Sequence, residues 1–212
     1  MFISHLSHYF LKVAFVLSVS VITLSITGAE AKPVKLGAEE QKNLELLTLD
    51  AAREGDLKTI IAYLDSGFSP NILSKRGDSL LTLATYYGHA EVVDALLLNE
   101  KTKVNLVNKM GFTALTGAAF RGHDVILKNL IKHGAEVDGV NNKGQTALMF
   151  AAMFGQKSAV AILISHGADA SRLTPSGKTA ANLASEQGNS EMGQLIADAV
   201  LKRERLSGLE KK

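Results

Sequence analysis

The sequence predicts an all-α solenoid of about five helix-turn-helix repeats, joined by short β-hairpin-like turns. Glycines recur every 33 or 34 residues, in the series Gly55, Gly88, Gly122, Gly155 and Gly188. Longer sequence segments recur with the same period, as in GFTALTGAAFRGHDVILKNLIKHGAEVD and GQTALMFAAMFGQKSAVAILISHGADAS. A fixed period of this length indicates stacked repeats, because one helix pair is too small to bury its own apolar faces.

Each repeat is predicted to contain a short first helix and a second apolar helix. Thr113 and Thr146 stand where a hydroxyl can cap the first helix. A leucine and two alanines then follow at positions i, i+3 and i+4, which places them on one packing face. Gly122 and Gly155 are predicted to supply the left-handed residue that ends this helix, and Gly134 stops the second helix.

One joint departs from the period. Residues 96–105 contain one extra residue and no glycine where the following repeats have Gly134 and Gly167. We expect Asn99 to provide the left-handed stop there, because asparagine tolerates this conformation better than most residues. The extra residue itself is interpreted as a surface insertion.

These boundaries divide the chain into four parts. A signal peptide at 1–31 and a linker at 32–40 precede the repeat domain, and a polar basic tail occupies 201–212. The first helix of the first repeat carries several charged residues and the last repeat is polar, as is typical of the capping repeats that face water. The repeat domain is predicted at 41–200, with repeats at 41–73, 74–107, 108–140, 141–173 and 174–200.

The first part of the chain has the pattern of an export signal. Lys12 precedes an uncharged apolar run at 13–29, and small residues, Ala29 and Ala31, stand before Lys32. Cleavage between Ala31 and Lys32 is predicted, which would make the mature protein periplasmic or secreted. The alternative is an uncleaved anchor in the inner membrane with the repeats facing the periplasm, although the run is short and diluted by Ser and Thr.

Composition excludes several classes of function. The 212-residue chain has a formal net charge of +2 and no cysteine. A charge near zero gives no electrostatic reason to expect binding of nucleic acid, which needs a basic face. Without cysteine there is no disulfide, no thiolate nucleophile and no Cys-ligated zinc.

No catalytic or metal-binding constellation is recognisable. Apart from two in the leader, the histidines fall into pairs one repeat apart, His89 with His123 and His133 with His166. Packed helices lie about 8–10 Å apart, which is too far for two imidazoles to share one zinc ion at about 2.1 Å. Phosphate-binding loops, HExxH and GxSxG are also missing. We therefore predict no enzyme activity, no cofactor, no metal and no small-molecule substrate.

The repeated sequence segments resemble the ankyrin repeat. That family's pattern reads Asp-x-x-Gly-x-Thr-Pro-Leu-His-x-Ala-Ala-x-x-Gly-His, followed by an apolar helix and Gly-Ala-Asp, and the resemblance covers about residues 41–200. This sequence departs from the pattern at the proline, where it has Leu80, Ala114, Ala147 and Ala180, and at the first histidine, where it has Thr82, Thr116, Met149 and Asn182. Loss of that histidine is expected to weaken hydrogen bonding between neighbouring repeats.

The resemblance implies a non-catalytic scaffold that binds a protein partner. Ankyrin proteins usually bind their partners on the concave surface formed by the turn tips and the first helices. Similar exported bacterial proteins are associated with protection against oxidative stress, including support of catalase, so the resemblance also implies support of an envelope or oxidative-stress enzyme. The family's groove positions fall here on Tyr86, Tyr87, Phe120, Arg121, Met153 and Phe154, and at the tips on Lys75, Arg76, Lys109, Met110, Phe112 and Lys143.

These groove residues allow three interpretations. An apolar centre with a charged rim is typical of a protein interface, in which aromatic residues, Met and Arg contribute most of the binding energy. The same side chains could instead pack against the turn of the next repeat, or bring two copies of the chain together. We expect a monomer with an unidentified protein partner, no nucleic acid, and a membrane only if the leader is retained.

Overall fold

The computed structural model describes residues 36–209, with side chains as far as residue 202. The predicted signal peptide and its cleavage site, Ala31–Lys32, lie outside the described residues. Those that are described form ten α-helices: α1 (Ala38–Glu54), α2 (Leu57–Asp65), α3 (Leu80–Tyr87), α4 (Ala90–Leu98), α5 (Ala114–Arg121), α6 (Asp124–Lys132), α7 (Ala147–Met153), α8 (Lys157–Ser165), α9 (Ala180–Glu186) and α10 (Ser190–Leu209).

The helices form five pairs, which stack in chain order. The first helices of the pairs, α1, α3, α5, α7 and α9, pack one against the next and are called the inner helices below. The outer helices α2, α4, α6 and α8 pack in a second series, and each pair is closed by contacts between its own two helices. The all-α repeat solenoid is thereby confirmed. None of the ten helices is long and apolar enough to cross a membrane.

The predicted helix ends are present. Thr113 Oγ1 accepts the N–H of Thr116, and Thr146 Oγ1 accepts that of Met149, at 3.2 and 3.3 Å. Each hydroxyl thus satisfies one of the N–H groups that the first turn leaves without a partner inside the helix. Gly122 adopts a left-handed φ of 70° directly after α5, which is the conformation that glycine reaches without steric cost.

Small residues allow the inner helices to approach one another. The same position of every inner helix holds a buried alanine, and a larger side chain there would push neighbouring repeats apart. The outer helices contribute aliphatic side chains to the same continuous core, among them Ile60, Val93 and Leu127. The alanine series comprises Ala51, Ala84, Ala118, Ala151 and Ala184.

Hydrogen bonds between repeats come from positions other than the replaced histidine. The Asn71 amide donates to Lys101 O at 2.7 Å and accepts from Lys103 N at 2.8 Å, which ties the first repeat to the second. Asn105 makes the equivalent pair of bonds to the third repeat. Thr116, at one of the replaced positions, instead bonds within its own repeat.

The residue after the glycine that ends an inner helix also links repeats. His89 Nε2 lies 2.8 Å from Arg53 O of the preceding repeat, and Gln156 Nε2 donates to Phe120 O at 3.2 Å. His123 occupies the same position in the third repeat, but its buried Nε2 has no hydrogen-bond partner in the described part of the protein. These side chains serve repeat packing.

The prediction for Asn99 was wrong. Its φ of −81° and ψ of 112° are those of extended backbone, and no non-glycine residue in the described region has a positive φ. The Asn99 side chain accepts Lys101 N at 3.0 Å, and Thr102 Oγ1 donates to the helix carbonyl of Leu96 at 2.6 Å. The extra residue of this joint therefore lets a threonine hydroxyl satisfy the end of α4, so that no left-handed residue is needed.

The first and last helices continue beyond the predicted repeat boundaries of 41 and 200. Helix α1 begins at Ala38, inside the predicted linker, because Glu39 and Glu40 favour a helix N-terminus and Glu40 Oε2 accepts Gly37 N at 3.0 Å. Helix α10 continues to Leu209. The predicted tail at 201–212 is therefore helical as far as it is described.

Candidate functional site

Aromatic side chains line up across the ends of three consecutive inner helices. The Tyr86 and Phe120 rings stack with centroids 5.9 Å apart and an interplanar angle of 12°, and Phe120 meets Phe154 edge-on at 4.4 Å. Tyr87 packs edge-on against Tyr86 at 5.3 Å. Tyr86, Tyr87 and Phe154 nevertheless stay 39%, 48% and 49% exposed. We call these four residues the aromatic row.

The other two predicted residues of this group are Arg121 and Met153. The guanidinium of Arg121 lies over the ring of Tyr86, 5.3 Å from its centroid, in the geometry of a cation–π contact. Met153 is half-buried, and its sulfur accepts a weak hydrogen bond from Gln145 Nε2 at 3.8 Å. Neither the Phe154 ring contact nor this Met153 contact involves the turn of the next repeat.

The turn tips are held by side chains that imitate a backbone turn. Asn108 Oδ1 accepts the N–H groups of Met110 and Phe112 at 2.9 and 3.0 Å, and the main chain closes the turn with Asn108 N donating to Phe112 O. Such turns are characteristic of Asn, Asp and Ser. Adjacent tips are linked by Lys109 N, which donates to Arg76 O at 3.1 Å.

Three consecutive tips present cations to solvent. In residues 36–202 none of these cations forms an ion pair. They therefore remain available to a negatively charged partner, although salt will screen them strongly at the surface. The tip cations are Lys75, Arg76, Lys109 and Lys143.

A groove of about 630 Å³ lies between the tips and the inner helices of the first repeats. Of the predicted residues, seven line it: Lys75, Arg76, Tyr86, Tyr87, Met110, Phe112 and Phe120. The other five lie outside its lining: Lys109, Arg121, Lys143, Met153 and Phe154. The structure thus concentrates the groove on the first three repeats, whereas the aromatic row continues into the fourth.

Several groove residues were missed. Leu83, Gly117 and Phe150 precede the exposed ends of their inner helices by about one turn, so the helical period could have placed them on the same face. Helix α1 contributes Leu49 and Arg53, although the charged residues of this helix are typical of a capping repeat. Phe150 is only 8% exposed.

The acidic groups of the groove are engaged. Asp50 pairs with Arg53 on the next turn of α1, and Asp78 accepts hydrogen bonds from Asn108 Nδ2 at 2.7 Å and Ser74 Oγ at 3.3 Å. No histidine lines the groove, and the described residues contain no group of three or more His, Asp or Glu placed to hold a metal ion. The arrangement combines an aromatic surface with available cations, which suits binding.

Comparison with known proteins identifies the repeats. A family model described as ankyrin repeats (3 copies) matches residues 48–140 and 118–203. A Pseudomonas aeruginosa protein named as an ankyrin repeat protein is 43% identical over 59 residues, which cover 28% of this chain and 34% of that protein. Alpha-latrocrustotoxin-Lt1a of Latrodectus tredecimguttatus is 36% identical over 91 residues, 42% of this chain and 6% of the toxin.

The matched segments therefore span about a third of one relative and a small fraction of the other. What they share with this chain is the repeat unit. Ankyrin repeats act as protein–protein interaction modules and are generally non-catalytic. Because the two overlapping matches of the family model together cover residues 48–203, the chain belongs to the ankyrin repeat family.

Proposed function

We propose that this protein is an exported, monomeric scaffold that binds one protein partner through the groove and the aromatic row. A single observation carries the proposal, namely that Tyr86, Tyr87 and Phe154 remain 39–49% exposed while contacting one another or Phe120. Aromatic side chains are favoured at interfaces because they bury a large area with few rotatable bonds.

The tip cations give the partner a charge preference. Lys75 and Arg76 line the groove with Tyr86 and Tyr87, and the next two tips carry Lys109 and Lys143. None of these four cations forms an ion pair in residues 36–202. We propose that the partner presents apolar anchors with acidic neighbours. Association should then slow as the salt concentration rises, because rim charges act mainly on the association rate. An association rate independent of salt would remove these cations from the binding surface.

The proposal extends to location and process. The export signal predicted at 1–31 supports a periplasmic or secreted protein. An envelope or oxidative-stress enzyme is the partner class that the resemblance to exported bacterial ankyrin proteins implies. The scaffold would hold or stabilise that enzyme and would contribute no catalytic group of its own.

The test is retention of envelope proteins on the immobilised full chain. A variant with Tyr87→Ala, Met153→Ala and Phe154→Ala should lose the proteins that the native chain retains. The matched control carries Leu98→Ala and Val125→Ala, two apolar residues of outer helices that are 79% and 74% exposed. Equal retention by all three chains would refute binding through the aromatic row. Sedimentation of the native chain as a dimer would refute the monomer and support self-association.

The apolar run at 13–29 supports a second candidate, a membrane-tethered assembly or anchoring factor. Retention of the leader would hold the repeats at the inner membrane. N-terminal sequencing of the protein from the envelope separates the two candidates. A sequence that starts at Lys32 means a free exported protein, and one that starts at Met1 means a tethered protein.

A further inference from the structure

A glycine lies in the middle of an inner helix at the floor of the groove. Gly117 is the fourth residue of α5, and the equivalent position holds Leu83 in the preceding repeat and Phe150 in the following one. Glycine is disfavoured inside a helix because it loses more backbone freedom than any other residue. The turn-forming glycines have a positive φ, but Gly117 does not.

Backbone crowding does not require this glycine. A Cβ added to Gly117 would have Tyr86 Cβ at 3.9 Å and Thr85 Cγ2 at 4.0 Å as its nearest neighbours, which are ordinary van der Waals contacts. A methyl group would therefore fit at Gly117, which lines the groove together with Leu83 and Phe150. We call this part of the groove the Gly117 pocket.

The walls of the Gly117 pocket are apolar and partly aromatic. Phe112 meets Phe150 edge-on at 5.1 Å, and both rings line the groove together with Leu83 and Phe120. Phe150 and Leu83 are themselves buried, at 8% and 6% exposure, so they form a fixed floor. Such walls favour another aromatic ring, which gains edge-to-face contacts beyond its buried area.

The tip cations that line the groove remain available to a partner, whereas the carboxylates of the groove do not. Lys75 and Arg76 line the same groove without an ion pair in residues 36–202. Asp50 is already paired with Arg53, and Asp78 already accepts hydrogen bonds from Asn108 and Ser74. An acidic group next to an apolar anchor would meet both lysine and arginine. An entirely apolar molecule would leave these cations without a partner.

We propose that the Gly117 pocket receives one aromatic or leucine side chain from an extended segment of the partner, and that Asp or Glu residues beside this anchor pair with Lys75 and Arg76. This rests on the proposed function and adds the chemistry of the bound segment. Gly117 is then the residue that determines specificity, because Leu at this position would occupy the space of the anchor.

The test begins with phage-displayed random 12-residue peptides selected on the full chain. The enriched peptides should share an aromatic residue or leucine with Asp or Glu close to it. Fluorescein-labelled synthetic versions are then titrated by fluorescence polarisation. Replacing the anchor by Ala, or replacing Gly117 by Leu, should each weaken binding at least tenfold.

Matched variants control for charge and for folding. Lys75→Ala with Arg76→Ala should weaken binding about fivefold or more at low salt, in line with rim charges acting on association. Lys128→Ala with Lys132→Ala, on outer helix α6, should leave the affinity within about twofold of the native value, because neither lysine lines the groove. Circular dichroism should show native helix content for Gly117→Leu, and Gly117→Ala, whose Cβ meets only van der Waals contacts, should melt no lower than the native chain.

The outcomes separate this inference from the proposed function. Peptides that bind Gly117→Leu as tightly as the native chain, but lose affinity for the Tyr87→Ala, Phe154→Ala variant, would overturn the pocket and leave binding through the aromatic row intact. Basic or purely apolar selected peptides would also overturn it. Peptides whose affinity is unaffected by either variant, or the enrichment of none, would count against both proposals.

Discussion

Two phenylalanines one helical turn apart allow a direct measurement of what the aromatic row contributes to folding. Phe150 is 8% exposed within α7, whereas Phe154, directly after that helix, is 49% exposed. Replacing each by alanine removes the same atoms from different surroundings. The two substitutions should therefore differ in their effect on the free energy of unfolding, although the sequence change is identical.

The expected magnitudes follow from burial. Phe150→Ala should cost about 3–5 kcal/mol, the usual range for a phenylalanine in a core. A phenylalanine buries roughly 200 Å², so half burial of Phe154 removes about 100 Å² from water. At about 25 cal/mol per Å² this is at most ~2.5 kcal/mol, and a compact unfolded state lowers it further. Phe154→Ala should thus cost about 1–2 kcal/mol, including its contact with Phe120.

Both variants are unfolded in urea, and the transition is monitored by circular dichroism and by tyrosine fluorescence, since the chain has no tryptophan. Coincident curves from the two probes justify a single free energy of unfolding, a condition that repeat arrays do not always meet. A cost of 3 kcal/mol or more for Phe154→Ala would refute the surface role of this side chain. A cost below about 1 kcal/mol for Phe150→Ala would refute the fixed floor of the groove, given the range expected for a buried ring.

Three further outcomes are expected. Gly117→Ala should stabilise the fold by about 0.8–1.0 kcal/mol and raise the melting midpoint by a few degrees, measured by calorimetry, because Ala favours the helix and its Cβ meets no clash. Thr146→Ala should cost about 1 kcal/mol in urea unfolding by removing the cap of Met149 N. Burial, and secondarily Glu45, raises the pKa of Tyr63 to about 12. The folded state then holds the phenol proton more tightly than the unfolded state, so stability falls from about pH 10 towards 12. Tyr63→Phe should flatten that decline in urea midpoints.

The fold was largely predictable because short-range sequence signals define each repeat. Hydroxyl caps such as Thr113, glycine stops such as Gly122 and the buried alanine of each inner helix act within a few residues of one another. Repetition then supplies the long-range contacts, since each repeat packs only on its neighbours. The exception was Asn99, where the hydroxyl of Thr102 satisfies the helix end from three residues further along, a choice that no local rule for glycine replacement anticipates.

The candidate site was less predictable because the shape of a groove depends on absent side chains as well as on those that are present. Exposed aromatic residues such as Tyr87 could be found from their place in the repeat. Gly117 could not, because a helical glycine in one repeat carries meaning only beside Leu83 and Phe150, which the stacking of helices brings to the same face. The contribution of α1 to the groove was also not predicted, because the charged residues of this helix are equally consistent with a capping repeat.

The aromatic row adds ring contacts at the protein surface between three repeats whose inner helices also pack through the buried alanines. Phe120 contacts Tyr86 on one side and Phe154 on the other, so its ring belongs to two repeat interfaces at once. A partner that covers the row removes the exposed half of these rings from water, and a partner selective for the folded repeats raises their stability by mass action. Because a solenoid gains stability from each interface between neighbours, the same contacts that bind the partner also oppose local opening of the central repeats. Binding and local stability therefore depend on one set of side chains, and substitutions within the row should change both together.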